Sequence, residues 1–245
     1  MIIKLIQWNI WSREKPENIV SFLKKSKADV ICTQEIIRDS RKNIDVARYI
    51  SKKLGFEYYY HNGDTWDNND EKEALGNAIF SRFPITAKNY IFVQQPRHNP
   101  PSSSDEGRVY VEIKINVRNK ILTIGTTHLS YSHQFKITKQ RKEEIDVLIS
   151  IIKQRKGHYL FAGDLNSVPN SYTITQLEKL FLHSGPDYGH KSWTTKPFEY
   201  EGFKENNLNW RLDYIFNTQD LCVYESKILD SQYSDHLPLQ VKIKI

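Results

Sequence analysis

Val109-Tyr110-Val111-Glu112-Ile113-Lys114-Ile115-Asn116-Val117 alternates without a break. Val109, Val111, Ile113, Ile115 and Val117 fall on one side; Tyr110, Glu112, Lys114 and Asn116 fall on the other. Period two over this length predicts a strand with one face in a core. Arg118-Asn119-Lys120 supplies a turn, and Ile121 to Leu129 reads as the returning strand of a hairpin.

Working outward, Ile2 to Ile10 and Asp29 to Gln34 read as buried strands. Between them, Glu17 to Lys27 carries Ile19, Val20, Phe22 and Leu23 on one helical stripe. Ile44, Ala47, Ile50 and Leu54 mark a second helix, ended by Gly55. Tyr58 to His61, Ala74 to Ser81 and Thr86 to Val93 are predicted strands. Two polar loops, Asn62 to Lys72 and the Pro/Ser-rich Gln94 to Gly107, interrupt them. Beyond the hairpin, helices are predicted around Ile145 to Ile152 and Ile174 to Phe181, with a strand at Tyr159 to Ala162. Strands resume at Arg211 to Phe216, Leu221 to Leu229 and Leu239 to Ile245. Strands dominate and the helices form two separated groups. Two packed sheets flanked by helices therefore fit better than one doubly wound sheet. No linker or short repeat divides residues 1–245, which read as one domain.

The hydrophobic fraction of 39% allows a sizeable core. The apolar stretches are strand-length and broken by charge, so no membrane span is expected. Cys32 and Cys222 each sit in an apolar run and are expected to be buried free thiols. A cytoplasmic location fits, with no obligate protein partner evident. The net charge of +6 has two readings. Lys24, Lys25 and Lys27, Lys52 and Lys53, and Lys153, Arg155 and Lys156 lie at predicted helix ends, where the macrodipole favours cations. The same charges suit a phosphate-bearing partner.

Polar residues cluster just past the predicted strands: Asn9, Glu35, His128, Asp164 with Asn166, Asp213, and Asp235 with His236. Singly each has an ordinary explanation, such as a surface carboxylate, an Asx turn, a core histidine or a turn cap. Together they describe a hard-cation site, since carboxylate and amide oxygens suit Mg²⁺ or Mn²⁺.

Seven motifs give these residues a pattern: Gln7-Trp8-Asn9, Gln34-Glu35, Gly76 to Arg82, Thr126-Thr127-His128-Leu129, Gly163-Asp164-Leu165-Asn166, Arg211-Leu212-Asp213-Tyr214 and Ser234-Asp235-His236-Leu237-Pro238. In this order they resemble the signature of the endonuclease/exonuclease/phosphatase superfamily across the whole chain. The resemblance implies a four-layered α/β sandwich, two central mostly antiparallel sheets between helices, with a divalent-metal-dependent phosphoesterase site at one edge. By the same resemblance Glu35 is the principal metal ligand, helped by Asn9 and Asp235. Asp164 orients or deprotonates the attacking water, and Asn166 holds that water or a phosphate oxygen. His236 contacts the phosphate, Asp213 fixes its tautomer, and His128 donates to a second phosphate oxygen.

The substrate is less defined. Trp210 before Arg211-Leu212-Asp213-Tyr214 resembles abasic-site endonucleases, but Thr126-Thr127-His128-Leu129 is similar to the histidine-bearing branches instead. Arg108 opens the hairpin and is either a phosphate contact or an exposed strand-end arginine. Arg82 reads as structural, and Trp8 and Trp11 as core or cleft-floor packing. Trp66, Trp193 and Trp210 are candidates for a stacking wall. Arg97, His98, Lys191, Lys196 and Lys204 add cations in loops. The leading expectation is a nucleic-acid phosphodiesterase. A small-molecule or lipid-headgroup phosphoesterase is the alternative, and a non-catalytic binding module on the same fold is a third.

Overall fold

The computed structural model describes residues 1–67 and 72–245. Strand β1 spans Ile2–Asn9, helix α1 Pro16–Ser26, β2 Val30–Asp39, the short β3 Ile44–Asp45, α2 Val46–Leu54, β4 Glu57–Thr65 and β5 Ala74–Ser81. Next come β6 (Ile85–Gln94), β7 (Arg108–Val117), β8 (Lys120–His128), α3 (Lys139–Ile152), β9 (Tyr159–Asp164), α4 (Tyr172–Glu178) and β10 (Leu182–His183). A small hairpin, β11 (Phe198–Tyr200) and β12 (Phe203–Glu205), precedes β13 (Asp213–Asn217), β14 (Cys222–Ile228) and β15 (Leu239–Lys244).

One sheet has the order β14-β15-β1-β2-β5-β4, with β3 on β2; the other runs β10-β13-β9-β8-β7-β6. Among the described residues, β1–β2 and β8–β9 are the strand pairs that run parallel. The apolar side of β7 packs between the sheets, where Val109, Val111, Ile113, Ile115 and Val117 are at most 1% exposed. Ile3, Leu5, Val30, Cys32, Leu160 and Ile215 complete that core from both sheets. Each such buried aliphatic side chain contributes roughly 1.5–3 kcal/mol. Helices α1 and α2 cover the outer face of the first sheet through Ile19, Leu23, Ala47 and Ile50. Helices α3 and α4 cover the second through Ile145, Leu148, Ile174 and Leu177. The result is the expected four-layered sandwich.

Local chemistry sets the element ends. Asp45 caps α2 by accepting from Arg48 N, and Gly55 closes it at φ 70°. Arg118 and Asn119, at φ 50° and 66°, form the two-residue hairpin turn, and Lys120 already pairs with Val117. Arg82 ion-pairs with Asp29 at 3.0 Å, the structural role expected of it.

Other expectations need correction. Cys222 is exposed, because it starts β14 at the edge of its sheet. The strand expected to stop at His61 runs on to Thr65, where β5 continues to pair with it across a bulge. Of the polar loop 62–72, residues 68–71 lie outside the described residues. Helix α4 ends at Glu178, leaving Leu180 41% exposed. Nor is the polar side of β7 uniformly solvated: Tyr110 and Glu112 are buried, and Glu112 is paired with Arg155 at 2.6 Å. Among the described residues no helix is long and apolar enough to cross a membrane.

Candidate active site

Strand parity carries the site into the space between the sheets. On β1, Ile3 and Leu5 face the inter-sheet core, and Gln7 and Asn9 continue on that side. The same rule places Gln34 after Val30 and Cys32, Thr126 and His128 after Leu122 and Ile124, and Asp164 after Leu160 and Ala162. Asp213 stands opposite Asp164 in the register of β13 and β9, and His128 opposite Asp164 in that of β8 and β9. At one edge, then, the apolar core gives way to carboxylates, amides and imidazoles. Glu35 breaks the parity: it lies where the β2–β5 register shifts between Thr33 and Ile36, at φ 59°. A bulge with a non-glycine residue at positive φ is a costly conformation, of the kind found where a side chain is re-aimed at a site.

His236 occupies the centre. Its Nδ1 is 2.8 Å from Asp213 Oδ2, and its Nε2 is 3.4 Å from Asp164 Oδ2. Burial alone lowers the imidazolium's pKa, but the charges of Asp213, Asp164 and Asp235 outweigh it and hold it well above the ordinary value. His236 is therefore cationic at neutral pH. The backbone around it is latched: Trp8 Nε1 donates to His236 O, and Ser234 Oγ donates to Asn9 O.

His128 behaves differently. Burial lowers its pKa to about 4 against the opposing pull of Asp164, so it is a neutral imidazole at neutral pH. Asn166 Nδ2 donates to Leu129 O at 2.9 Å and lies 3.1 Å from His128 Nε2. Asn166 N donates to Asp164 Oδ1, which ties the two residues of the Gly-Asp-Leu-Asn turn together.

Glu35 and Asp235 face the same cleft. Glu35 accepts from Asn9 Nδ2 and from Ser12 N, both at 3.0 Å. Burial raises the Glu35 pKa, but His128 and these hydrogen bonds bring it below the ordinary value. Asp235 accepts from Trp193 Nε1 at 3.0 Å. Its pKa is pushed up to about 6, chiefly by burial, with Glu35 and Asp164 raising it and His236 lowering it. Burial of Asp235 beside Glu35 and Asp164 gathers negative charge that a cation would compensate. Glu35, Asp164 and Asp235 thus form an oxygen-rich set that fits a hard divalent cation.

Ligand atoms of Asp164, Asp213 and His236 also lie within 4.8 Å of one another, near enough to hold a metal ion. Both nitrogens of His236 already face carboxylates, however, so this trio reads as an ionic chain, and the Glu35 side is the better cation position. Asn9 lies beside two of these carboxylates: its oxygen accepts from Trp11 N, while its nitrogen spans Glu35 and Asp164 at 3.0 and 3.1 Å.

Arg108 is no exposed strand-end residue. It is 6% exposed, lines the cleft, and donates to Ser103 O, Ser130 Oγ and Glu106. Trp210 does not line the cleft at all. It lies behind the wall, 4.8 Å from the Phe135 ring, with its indole N–H on Glu205. Trp193 is 4% exposed and spent on Asp235. Trp66 is buried beneath Lys72 at 4.5 Å. The aromatic wall is made instead by Tyr131, Phe135, Phe198 and Tyr200, which line the cleft. Of the loop cations, only Lys196 lines it; Arg97, His98 and Lys204 are paired with Asp105, Asp67 and Glu199.

Supporting residues escaped the sequence reading. Gln7 Nε2 and Gln34 Oε1 pair at 2.5 Å, Gln34 donates to Thr126 Oγ1, and Gln7 reaches Asp213 at 3.4 Å. Arg141, 2% exposed, donates through Nη1 to the carbonyls of Leu165 and Asn166 and so fixes their turn. Its signal was available: 141, 145, 148 and 152 are one helical stripe.

The sequence matches the family model described as Endonuclease/Exonuclease/phosphatase family over residues 6–236. An exodeoxyribonuclease of Bacillus subtilis (strain 168) is 25% identical, the alignment covering 99% of this chain and all of that one. The fold matches an endonuclease/exonuclease/phosphatase from Beutenbergia cavernae with a TM-score of 0.77 at 19% identity, over all of this chain and 72% of that one. It also matches D. rerio TDP2 complexed with single-strand DNA product, with a TM-score of 0.72 at 15% identity, over all of this chain and 99% of that one. A mannosyl-6-phosphatase of Bacteroides thetaiotaomicron gives 0.69 at 14% identity, over 99% of this chain and all of that one. With the seven motifs gathered at one edge of a four-layered sandwich, this chain belongs to the endonuclease/exonuclease/phosphatase family, whose members cleave phosphate esters.

Proposed function

We propose that the protein is a Mg²⁺- or Mn²⁺-dependent phosphodiesterase acting on a nucleic-acid strand. The observation that carries the chemistry is the buried His236 held between Asp213 and Asp164, beside the oxygen set of Glu35 and Asp235. Glu35 and Asp235 would hold the divalent ion, which would supply charge neutralisation at the phosphate. Asp164 accepts a proton from the attacking water, held in place by Asn9 and by the Asn166 backbone N–H. His236 Nε2–H donates to a non-bridging oxygen as charge develops there. His128 contributes as a neutral hydrogen-bonding group, not as a second imidazolium.

The strand reading rests on the open cleft walled by Tyr131, Phe198 and Tyr200, which offers ring faces to bases. The full-length likeness to an exodeoxyribonuclease supports it. One feature favours a second reading, a small sugar- or inositol-type phosphate ester. The cleft also carries Glu106 and Glu199, so Arg13, Lys72, Arg108 and Lys196 do not make it strongly basic.

A panel of single- and double-stranded oligonucleotides, a sugar phosphate and an inositol phosphate, each with Mg²⁺, separates the two. Turnover of oligonucleotides that weakens steeply with salt is expected. Turnover of the small esters alone would remove the nucleic-acid reading. Within the wall, Tyr200→Ala is expected to raise the oligonucleotide KM about tenfold, from loss of base stacking. Trp210→Ala is expected to leave that KM near wild type while costing about 2–4 kcal/mol of stability by opening the aromatic cluster. Equal KM effects of the two changes would show that the wall is wrongly placed.

A further inference from the structure

Beside the catalytic cleft lies a second hollow, sharing Ser103, Tyr131 and Tyr200 with it as a partition. The serines of the Pro/Ser-rich loop form one rim, and Ser130, Ser132 and Thr138 add hydroxyls from the segment between β8 and α3. At its base is Arg141. Its Nε donates to Glu144, and its Nη1 is taken by Leu165 O, Asn166 O and Ser167 Oγ. Its Nη2 is buried with no hydrogen-bond partner among the described residues, and so is Ser132 Oγ in the same hollow. Glu144 is already committed, accepting from Ser130 N, Ser130 Oγ and Arg141 Nε. Two buried polar groups of one hollow thus lack partners, one of them a guanidinium nitrogen that can only donate.

We propose that this hollow is a second phosphate subsite, taking the phosphate that neighbours the scissile one on the substrate strand. An anionic oxygen supplies the acceptor that Arg141 Nη2 lacks, and the hydroxyls of Ser132 and Thr138 donate to the remaining oxygens. Tyr131 and Tyr200 line both hollows, so a base or sugar joining the two phosphates would lie against them. A substrate with a single phosphate cannot use the second position. The identification of the phosphate as part of a strand rests on the nucleic-acid reading above; the subsite itself does not.

The test has two arms. In the first, inorganic phosphate is titrated by amide NMR in the presence of EDTA, where the acidic catalytic cleft repels anions. Saturable shifts at Ser130, Ser132 and Arg141 are expected, and they should be lost in Ser104→Glu and in Ser132→Val. Ser104 is exposed at the rim, so its variant tests the pocket without disturbing the core. Absence of saturable shifts at these residues in a folded wild-type protein would overturn the subsite.

In the second arm, Ser104→Glu is expected to raise KM about tenfold for an oligonucleotide, with bis(p-nitrophenyl) phosphate turnover unchanged. An unaltered oligonucleotide KM would overturn the strand assignment. Saturable phosphate binding in a protein that cleaves no oligonucleotide would uphold the subsite while overturning the strand assignment with the reading beneath it.

Discussion

His236→Ala should reduce turnover of a phosphodiester by about a hundredfold or more, the scale of losing one preorganised donor to a developing oxyanion. Charge matters here as much as position. His236 is 4% exposed, and burial by itself favours the neutral ring. Asp213, Asp164 and Asp235 reverse that and keep the proton on. Asp213→Asn preserves the shape and an acceptor for Nδ1–H but removes the largest opposing charge. The His236 pKa must then fall, so the alkaline limb of the pH–rate profile should move to lower pH. Turnover near pH 7 should drop by about 10- to 100-fold, typical of losing a group that orients and charges an active residue. A purely structural Asp213 would lower activity without moving the limb. His128 sets the contrast: its pKa of about 4 means that His128→Gln should leave the alkaline limb where it is.

What the sequence revealed about this edge follows from periodicity. Gln7, Asn9, His128, Asp164 and Asp213 extend the apolar parity of their own strands, and a strand that is certain in register fixes the face of its last residue. The four layers were legible for the same reason, since Val109 to Val117 and the two groups of helices leave few ways to bury their faces. Side chains in loops obey no such rule. Trp210 and Trp193 look alike in sequence, yet one packs behind Phe135 and against Phe203 of β12, while the other donates to Asp235 and packs against Phe198 of β11. Nor does any pattern of residue types announce the backbone of Trp11, at φ 58°, whose N–H donates to the amide oxygen of Asn9. Cys222 failed for a simpler reason: apolar composition does not distinguish an edge strand from a central one.

Chelation should abolish turnover, and Glu35→Gln should weaken Mn²⁺ binding by about a hundredfold or more, with a comparable loss of activity at limiting metal. The stability consequences run the other way and make the test discriminating. Without a cation, burial, with the charges of Glu35 and Asp164 adding to it, pushes Asp235 up to about 6. A carboxylate whose folded-state pKa is raised binds a proton more tightly in the native than in the unfolded chain. Stability of the metal-free protein should therefore fall as pH rises from about 4, the ordinary carboxylate value, through 6. Glu35→Gln removes one of the repelling charges, so in EDTA the variant should lose less stability over that window than the wild type does. Added Mg²⁺ should invert the order. At a hundredfold excess over its Kd it should raise the wild-type Tm by about 5–10 °C, and it should barely move that of Glu35→Gln. A wild-type Tm indifferent to Mg²⁺ and Mn²⁺, or full turnover in excess EDTA, would remove the cation from this site and with it the assignment of Glu35.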